Sequence, residues 1–253
     1  CCSWNTNHKI DNWDIHAPPG IIEQIQTRNI QSYSEPLLTL NATIRTHFGE
    51  KLHHWVDGVL GHVETPYLDL VELYKQLKDS GFKIYFTSNL RKAKMYLWNR
   101  YEKSPDARYG MICSSRDKSL GTYGMKTLSW PKTLNYGRWY NEDRNHSDSC
   151  CALDLAVTEF DSQGLELDFT IVGWGNDFIL EKGEWNNDRA RNYAHTSEIK
   201  DAFTLRRNAY RVLLTRARDG MILYLPTNDL LEETRQHLIR CGLEDLNDVD
   251  SQQ

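Results

Sequence analysis

The sequence predicts an α/β layer structure with a mainly parallel sheet flanked by helices. Phe82-Lys83-Ile84-Tyr85-Phe86-Thr87 alternates like a strand, a helical pattern runs from Leu90 to Tyr101, and a second strand-like run follows at Tyr109 to Cys113. Apolar runs at Phe169 to Val172 and at Met221 to Leu225 are separated by a helical stretch, about Phe203 to Arg216. Strands that alternate with helices are joined by crossovers, and crossovers leave neighbouring strands parallel.

The remaining elements follow in order. Residues 1 to 35 lack periodicity, and Pro18-Pro19-Gly20 punctuates them as a connector. Leu37 to Leu40 reads as a short strand, and Phe48, Leu52, Trp55, Val56 and Leu60 stand at helical spacing. A second helix runs from Tyr67 to Ser80, with Gly81 as its stop. Residues 117 to 150 are rich in Gly, Asn, Ser and aromatic residues and read as an irregular insertion. Strand structure resumes at Leu153 to Val157, the charged stretch from Glu181 to Arg191 reads as a solvated loop, and an amphipathic helix from Asn228 to Cys241 closes the domain.

Composition bounds the function. With 40% apolar and 26% charged residues the chain is an ordinary globular one. No apolar run approaches the ~18 residues of a membrane span and no signal peptide opens the chain, so no membrane association and a cytoplasmic location are expected. A net charge of -5 argues against a generally basic nucleic-acid binder, while leaving room for a local basic groove. The six cysteines, Cys1, Cys2, Cys113, Cys150, Cys151 and Cys241, have no C-x-x-C spacing, so neither zinc nor a disulfide framework is expected. His53-His54 has no companion at ligand spacing, and no metal site is expected. The chain begins at Cys1 rather than Met, as a fragment or a processed product would.

Two segments carry chemistry. Asn208 to Arg218 ends an apolar-periodic helix with Thr215-Arg216-Ala217-Arg218, a guanidinium pair. Arginine is always charged and carries a planar fork of donors, which suits a phosphate that develops charge during transfer. The plainer alternative is an arginine that offsets the helix dipole. The second segment is Thr158-Glu159-Phe160-Asp161-Ser162-Gln163-Gly164-Leu165-Glu166-Leu167-Asp168, followed by an apolar run.

In this order the two segments resemble motifs V and VI of superfamily 1 helicases. With Arg108 to Ser115, Tyr136 to Asn141 and the Thr-Glu-Phe-x-x-Gln-Gly-Leu-Glu core, the chain from about Trp13 to Pro226 is similar to the Schlafen group 3 DNA/RNA helicase domain family. The resemblance implies a RecA-like (P-loop NTPase-type) fold. It makes residues 1–35 a connector from an N-terminal RecA-like domain and residues 36–253 the second RecA-like domain. It also implies ATP and Mg2+ as cofactors, held mainly by the N-terminal half, which partners this chain in cis or in trans. Single-stranded DNA or RNA is the implied further partner.

The same resemblance distributes roles. Arg216 becomes the arginine finger, and Arg45 falls where motif IV places an arginine near the terminal phosphate, with a surface arginine as the alternative. Gln163 stands where many relatives have Lys, and Glu166 occupies a position that accepts hydrogen bonds from ribose or orients the arginines. Gly164 lets a nucleotide approach the backbone, which a Cβ would obstruct. Thr158 resembles the threonine that touches nucleic-acid backbone. Thr87 and Ser88, with Ser114-Ser115-Arg116, sit at strand carboxyl ends, where open α/β sheets bind ligands. Trp130, Trp139 and Tyr140 are open between base stacking and packing, whereas Trp174 is assigned to packing.

Gly121 to Thr127 has the wrong spacing for a phosphate loop, and no segment supplies a Walker A or Walker B element. The chain is thus expected to be the C-terminal motor half of an ATP-dependent helicase or translocase. Two alternatives stand beside that reading. One is a non-catalytic RecA-like binding module; the other is a metal-dependent nuclease using Glu159, Asp161, Glu166 and Asp168.

Overall fold

The structure is a computed structural model that describes residues 14–19, 21–22, 32–38, 49–62, 64–127, 134–191 and 201–249. The chain divides into two compact units, residues 1–44 and 45–253. In the first, β1 (Ile15–Ala17) pairs in parallel with β2 (Ser32–Ser34). The strand expected from Leu37 is not one at its start: Pro36–Leu38 forms a 3-10 turn, because proline pre-sets the φ of a first helical turn.

The second unit is built on β3 (Lys83–Thr87), β4 (Tyr109–Cys113), β5 (Ala156–Thr158), β6 (Leu167–Gly173), β9 (Ala217–Tyr224) and β10 (Glu244–Asp245). They form one sheet in the order β10-β3-β9-β6-β4-β5, with every pair parallel. Met111, Ile112, Phe169, Ile171, Val172, Met221, Ile222 and Leu223 are all fully buried. A parallel sheet covered on both faces demands such unbroken apolar strands.

The covering helices are α1 (Gly49–Val59), α2 (Tyr67–Asp79), α3 (Leu90–Arg100), the short α4 (Tyr136–Asn141), α5 (Ala202–Leu214), α6 (Glu232–Arg240) and α7 (Leu246–Val249). Capping explains their bounds. The Asn89 side chain accepts from Lys92 N at 3.1 Å, and Asp201 Oδ1 from Thr204 N at 2.9 Å, each satisfying a first-turn donor. Gly81 ends α2 with a φ of +101°, a conformation glycine adopts without strain. Tyr96 of α3 packs against Tyr85 and Phe169, whereas Tyr210 of α5 packs against Trp174 and Phe178.

Several expectations are corrected. The motif VI helix stops at Leu214, where Thr215 Oγ1 turns back to Arg211 O at 2.8 Å, so Arg216 lies in the turn after the helix. Arg218, Asp219 and Gly220 belong to β9. A Cβ at Gly220 would meet Lys83 O and the Phe169 ring, so this glycine serves close strand packing. The stretch 181–191 is not wholly a solvated loop. Its start forms an antiparallel hairpin, β7 (Ile179–Glu181) with β8 (Glu184–Asn186), whose Lys182-Gly183 turn has both φ values positive. Trp185, stacked on Phe178 at 4.6 Å, anchors it to the core. β5 starts only at Ala156, because Leu153 takes a left-handed conformation after a 3-10 turn at Cys150–Ala152. The last expected helix is split into a 3-10 turn, Asp229–Leu231, and α6, and β10 and α7 follow it unpredicted. Among the described residues, the insertion holds a 3-10 turn, Leu120–Tyr123, and α4.

His237 ties three helices together. Its Nε2 donates to Val59 O at 2.8 Å, and its Nδ1 accepts from Tyr67 Oη at 2.9 Å, which requires a neutral ring. Burial lowers its pKa below the ordinary 6.5, and burial with the Arg211 charge does the same to His53. Below pH 6.5 the unfolded chain binds protons that the folded chain refuses, so stability falls as the pH drops through that value. Thermal melts at about pH 7.5 and about pH 5.5 are expected to show this loss. His237→Gln is expected to reduce the loss, leaving the part that His53 contributes.

Candidate functional site

The carboxyl ends of β4, β5 and β6 converge on one buried side chain. Register places Cys113 level with both Thr158 and Gly173, so the residues that follow them, Ser114-Ser115, Glu159 and Asp177, gather at one edge of the sheet. Arg206 reaches them from α5. Its Nη1 lies 2.6 Å from Ser114 Oγ and 3.1 Å from Asp177 Oδ2, and its Nη2 lies 2.8 Å from Glu159 Oε1. Ser115 donates to Glu159 through its backbone N at 2.7 Å and its hydroxyl at 2.8 Å. Ser114 and Tyr210 each donate a hydroxyl hydrogen bond to Asp177.

The side chains of Arg206, Glu159 and Asp177 are 3%, 4% and 0% exposed. Burial pushes the Asp177 carboxyl up from its ordinary value, against the pull of Arg206, Ser114 and Tyr210. Burial opposes the charge of Arg206, but Asp177 and Glu159 outweigh it and hold the guanidinium charged. Burial and then Asp177 drive the Tyr210 hydroxyl well above its usual range, keeping it a donor. A guanidinium with this fork of partners can hold two strand ends and a helix in one geometry.

A second group lies at the opposite edge. Residues 159–166 carry the chain from the end of β5 back to the start of β6, where Leu167 pairs with Ala217. That pairing places Glu166 and Arg216 one residue before the starts of neighbouring strands. Gln163, Gly164 and Glu166 are exposed, and Gly164 has a φ of +82° with open space where a Cβ would stand. Arg216 is 9% exposed. Arg218 is 54% exposed and stands 3.8 Å from Glu166 Oε2 and 3.9 Å from Asp168 Oδ1.

The residues expected to touch nucleic acid are thereby separated from the nucleotide residues, and partly from one another. Thr158 is half-buried and donates its hydroxyl to Asp161 at 2.8 Å. Thr87 is fully buried and accepts from Asn89 N at 3.1 Å, whereas Ser88 beside it is exposed. Four strand spacings, about 19 Å, separate β3 from β5, so Ser88 and Thr158 are distant points on one edge. Arg45 and Trp130 lie outside the described residues. Trp139 and Trp174 are buried packing residues, and Tyr140 donates to Glu166 O at 2.7 Å.

The four carboxylates of the nuclease alternative do not converge. Glu159 is held by Arg206 and Ser115, Asp161 by Thr158 and Tyr136, Glu166 and Asp168 stand by Arg218, and Asp168 also accepts from Arg108 N. Among the described residues, no group of three or more His, Cys, Asp or Glu is arranged to hold a metal.

Sequence reasoning missed the central role of Arg206. The signal was present: Arg206, Ala209, Tyr210, Leu213 and Leu214 form the buried stripe of α5 at i, i+3, i+4, i+7 and i+8. An arginine in the first apolar position implies a buried counter-charge. Asp177 carried no comparable mark.

An all-parallel sheet that joins the Thr158–Asp168 and Asn208–Arg218 segments side by side is the arrangement the motif order predicts. Residues 5–227 match the family described as Schlafen group 3, DNA/RNA helicase domain. The chain belongs to that family. The Schlafen group 3 match includes both segments and ends before α6. No curated protein matches the chain. Among solved structures, the chain is similar to the C-terminal domain of a possible DNA helicase from Lactobacillus plantarum WCFS1, at 13% identity and a TM-score of 0.32, covering 76% of this chain and 94% of that one. This Schlafen group 3 domain is a helicase-related α/β domain with the expected parallel central sheet flanked by helices.

Arg206→Met leaves two buried carboxylates without their cation. It is expected to cost about 3–5 kcal/mol in denaturant unfolding, the usual consequence of removing one partner of a buried ion pair.

Proposed function

We propose that this chain is the C-terminal motor half of an ATP-dependent DNA or RNA helicase or translocase. The observation that carries the proposal is the Leu167–Ala217 pairing, which places Glu166 and Arg216 before neighbouring strand starts at one edge of the sheet while Thr158 and Ser88 occupy the other. A motor half needs this separation, with nucleotide chemistry at one edge and single-strand contacts at the other.

In this reading the N-terminal RecA-like half holds most of ATP and its Mg2+, which supply the phosphoryl group and neutralise its charge. Arg216 acts as the arginine finger, with Arg45 a second candidate. Glu166 orients the guanidinium and takes hydrogen bonds from ribose, Gln163 adds a neutral donor, and the positive φ of Gly164 keeps the backbone open to close approach. Since Arg216 is 9% exposed, engagement requires its guanidinium to turn outward toward the N-terminal half. Thr158 and Ser88 position a single strand without reading its sequence, whereas the fully buried Thr87 is out of its reach.

The same low exposure of Arg216 favours a second reading, a non-catalytic RecA-like module that binds nucleic acid. One assay separates the two. In the full-length protein, Arg216→Lys keeps the charge but loses the fork, and nucleic-acid-stimulated ATP turnover is expected to fall by roughly 10³-fold or more. Arg218→Ala is expected to change it little. Wild-type turnover in the Arg216→Lys protein refutes the finger, and absence of turnover in the wild type supports the module.

A further inference from the structure

We infer that the Glu159–Arg206 ion pair is the link by which occupancy of the loop after β5 is transmitted to Arg216, making both positioning residues. The inference rests on the motor reading above and adds the route by which its two edges communicate.

The loop has two faces. Phe160 is 58% exposed, whereas its neighbour Glu159 is 3% exposed and Ser162 is fully buried. The turn between them is tightly closed. Thr158 N and Oγ1 both donate to Asp161 Oδ2, at 2.9 and 2.8 Å, and Ser162 N donates to Thr158 O at 3.0 Å. A strand seated on Thr158 and Phe160 therefore moves Glu159 with them, since one rigid turn carries all three.

Besides the short α4, whose Tyr136 donates to Asp161 and whose Tyr140 donates to Glu166 O, two connections lead from this loop to the far edge. One is the chain itself through residues 159–166, but it passes Gly164, a residue without a side chain whose left-handed backbone has no neighbour packed where a Cβ would stand. The other is α5. From Arg206 to its end at Leu214 the helix rises about 12 Å, with Ala209, Tyr210, Leu213 and Leu214 buried along that path, and it stops two residues before Arg216. A buried helix transmits displacement where a glycine-containing loop absorbs it. This helix is tied to the outward-facing loop by the 2.8 Å ion pair of Arg206 Nη2 with Glu159 Oε1.

The charge arrangement makes the link separable from folding. Arg206 faces two carboxylates, so neutralising Glu159 leaves the guanidinium paired with Asp177 at 3.1 Å. Glu159→Gln also keeps an acceptor for Ser115. The chemistry recognised at the loop is a single-stranded nucleic acid, whose bases would stack on Phe160 and whose backbone would meet Thr158.

The test uses full-length protein, ATP, and a single-stranded DNA or RNA homopolymer. Glu159→Gln is expected to preserve basal turnover, the KM for ATP and oligonucleotide binding, while stimulation by the oligonucleotide falls roughly five- to tenfold. Equal loss of basal and stimulated turnover would reveal a merely structural role and overturn the link. Full stimulation in Glu159→Gln, with stimulation lost in Arg216→Lys, overturns the link and leaves the motor reading standing. A wild-type protein that shows no stimulation overturns both. Should Glu159→Gln fail to fold, Ser115→Ala, which removes one hydroxyl donor to Glu159, is judged by the same outcomes.

Discussion

The structure depends on burying one guanidinium. Arg206 occupies a helix stripe that is otherwise apolar, and it is tolerated there because the carboxyl ends of three parallel strands bring Ser114, Glu159 and Asp177 within hydrogen-bond distance. An isolated charge in such a place would be prohibitive, and a half-satisfied one would be little better. The requirement runs in both directions. α5 can seat its apolar face only if the strand ends present their carboxylates, and the strand ends can stay dry only if α5 delivers the cation.

Parallel strands make that convergence possible. In an all-parallel sheet every strand ends at the same edge, so the loops that follow β4, β5 and β6 share one neighbourhood although they are far apart in sequence. The opposite edge collects strand beginnings, and the Leu167–Ala217 register assigns Glu166 and Arg216 to it. The two edges are thereby separated by the length of the strands. α5 spans that length, with a buried arginine near one end and Arg216 just past the other.

Local chemistry alone made part of this legible. Helices with clear apolar periodicity and good caps, such as α2 and α3, match their expected ranges within a residue or so, because caps and periodicity act within a few residues. The hairpin at Ile179–Asn186 escaped because its charges suggested a loop, while the decisive contact is Trp185 on Phe178. Gly220 carried no mark in the sequence, yet it is needed for packing against Lys83 O and Phe169. In each case the signal lay in a partner distant along the chain.

The sequence by itself determined the fold class, the alternation of the main strands and helices, and the family, since periodicity and two ordered motifs are properties of contiguous residues. It also determined which residue types were available for phosphate and backbone contacts. Only the tertiary structure decided that Thr87 is internal while Ser88 is exposed, that Arg216 follows the helix rather than ending it, and that Glu159 belongs to Arg206. Those outcomes depend on register and burial, which arise when separate segments share a sheet and a helix covers them.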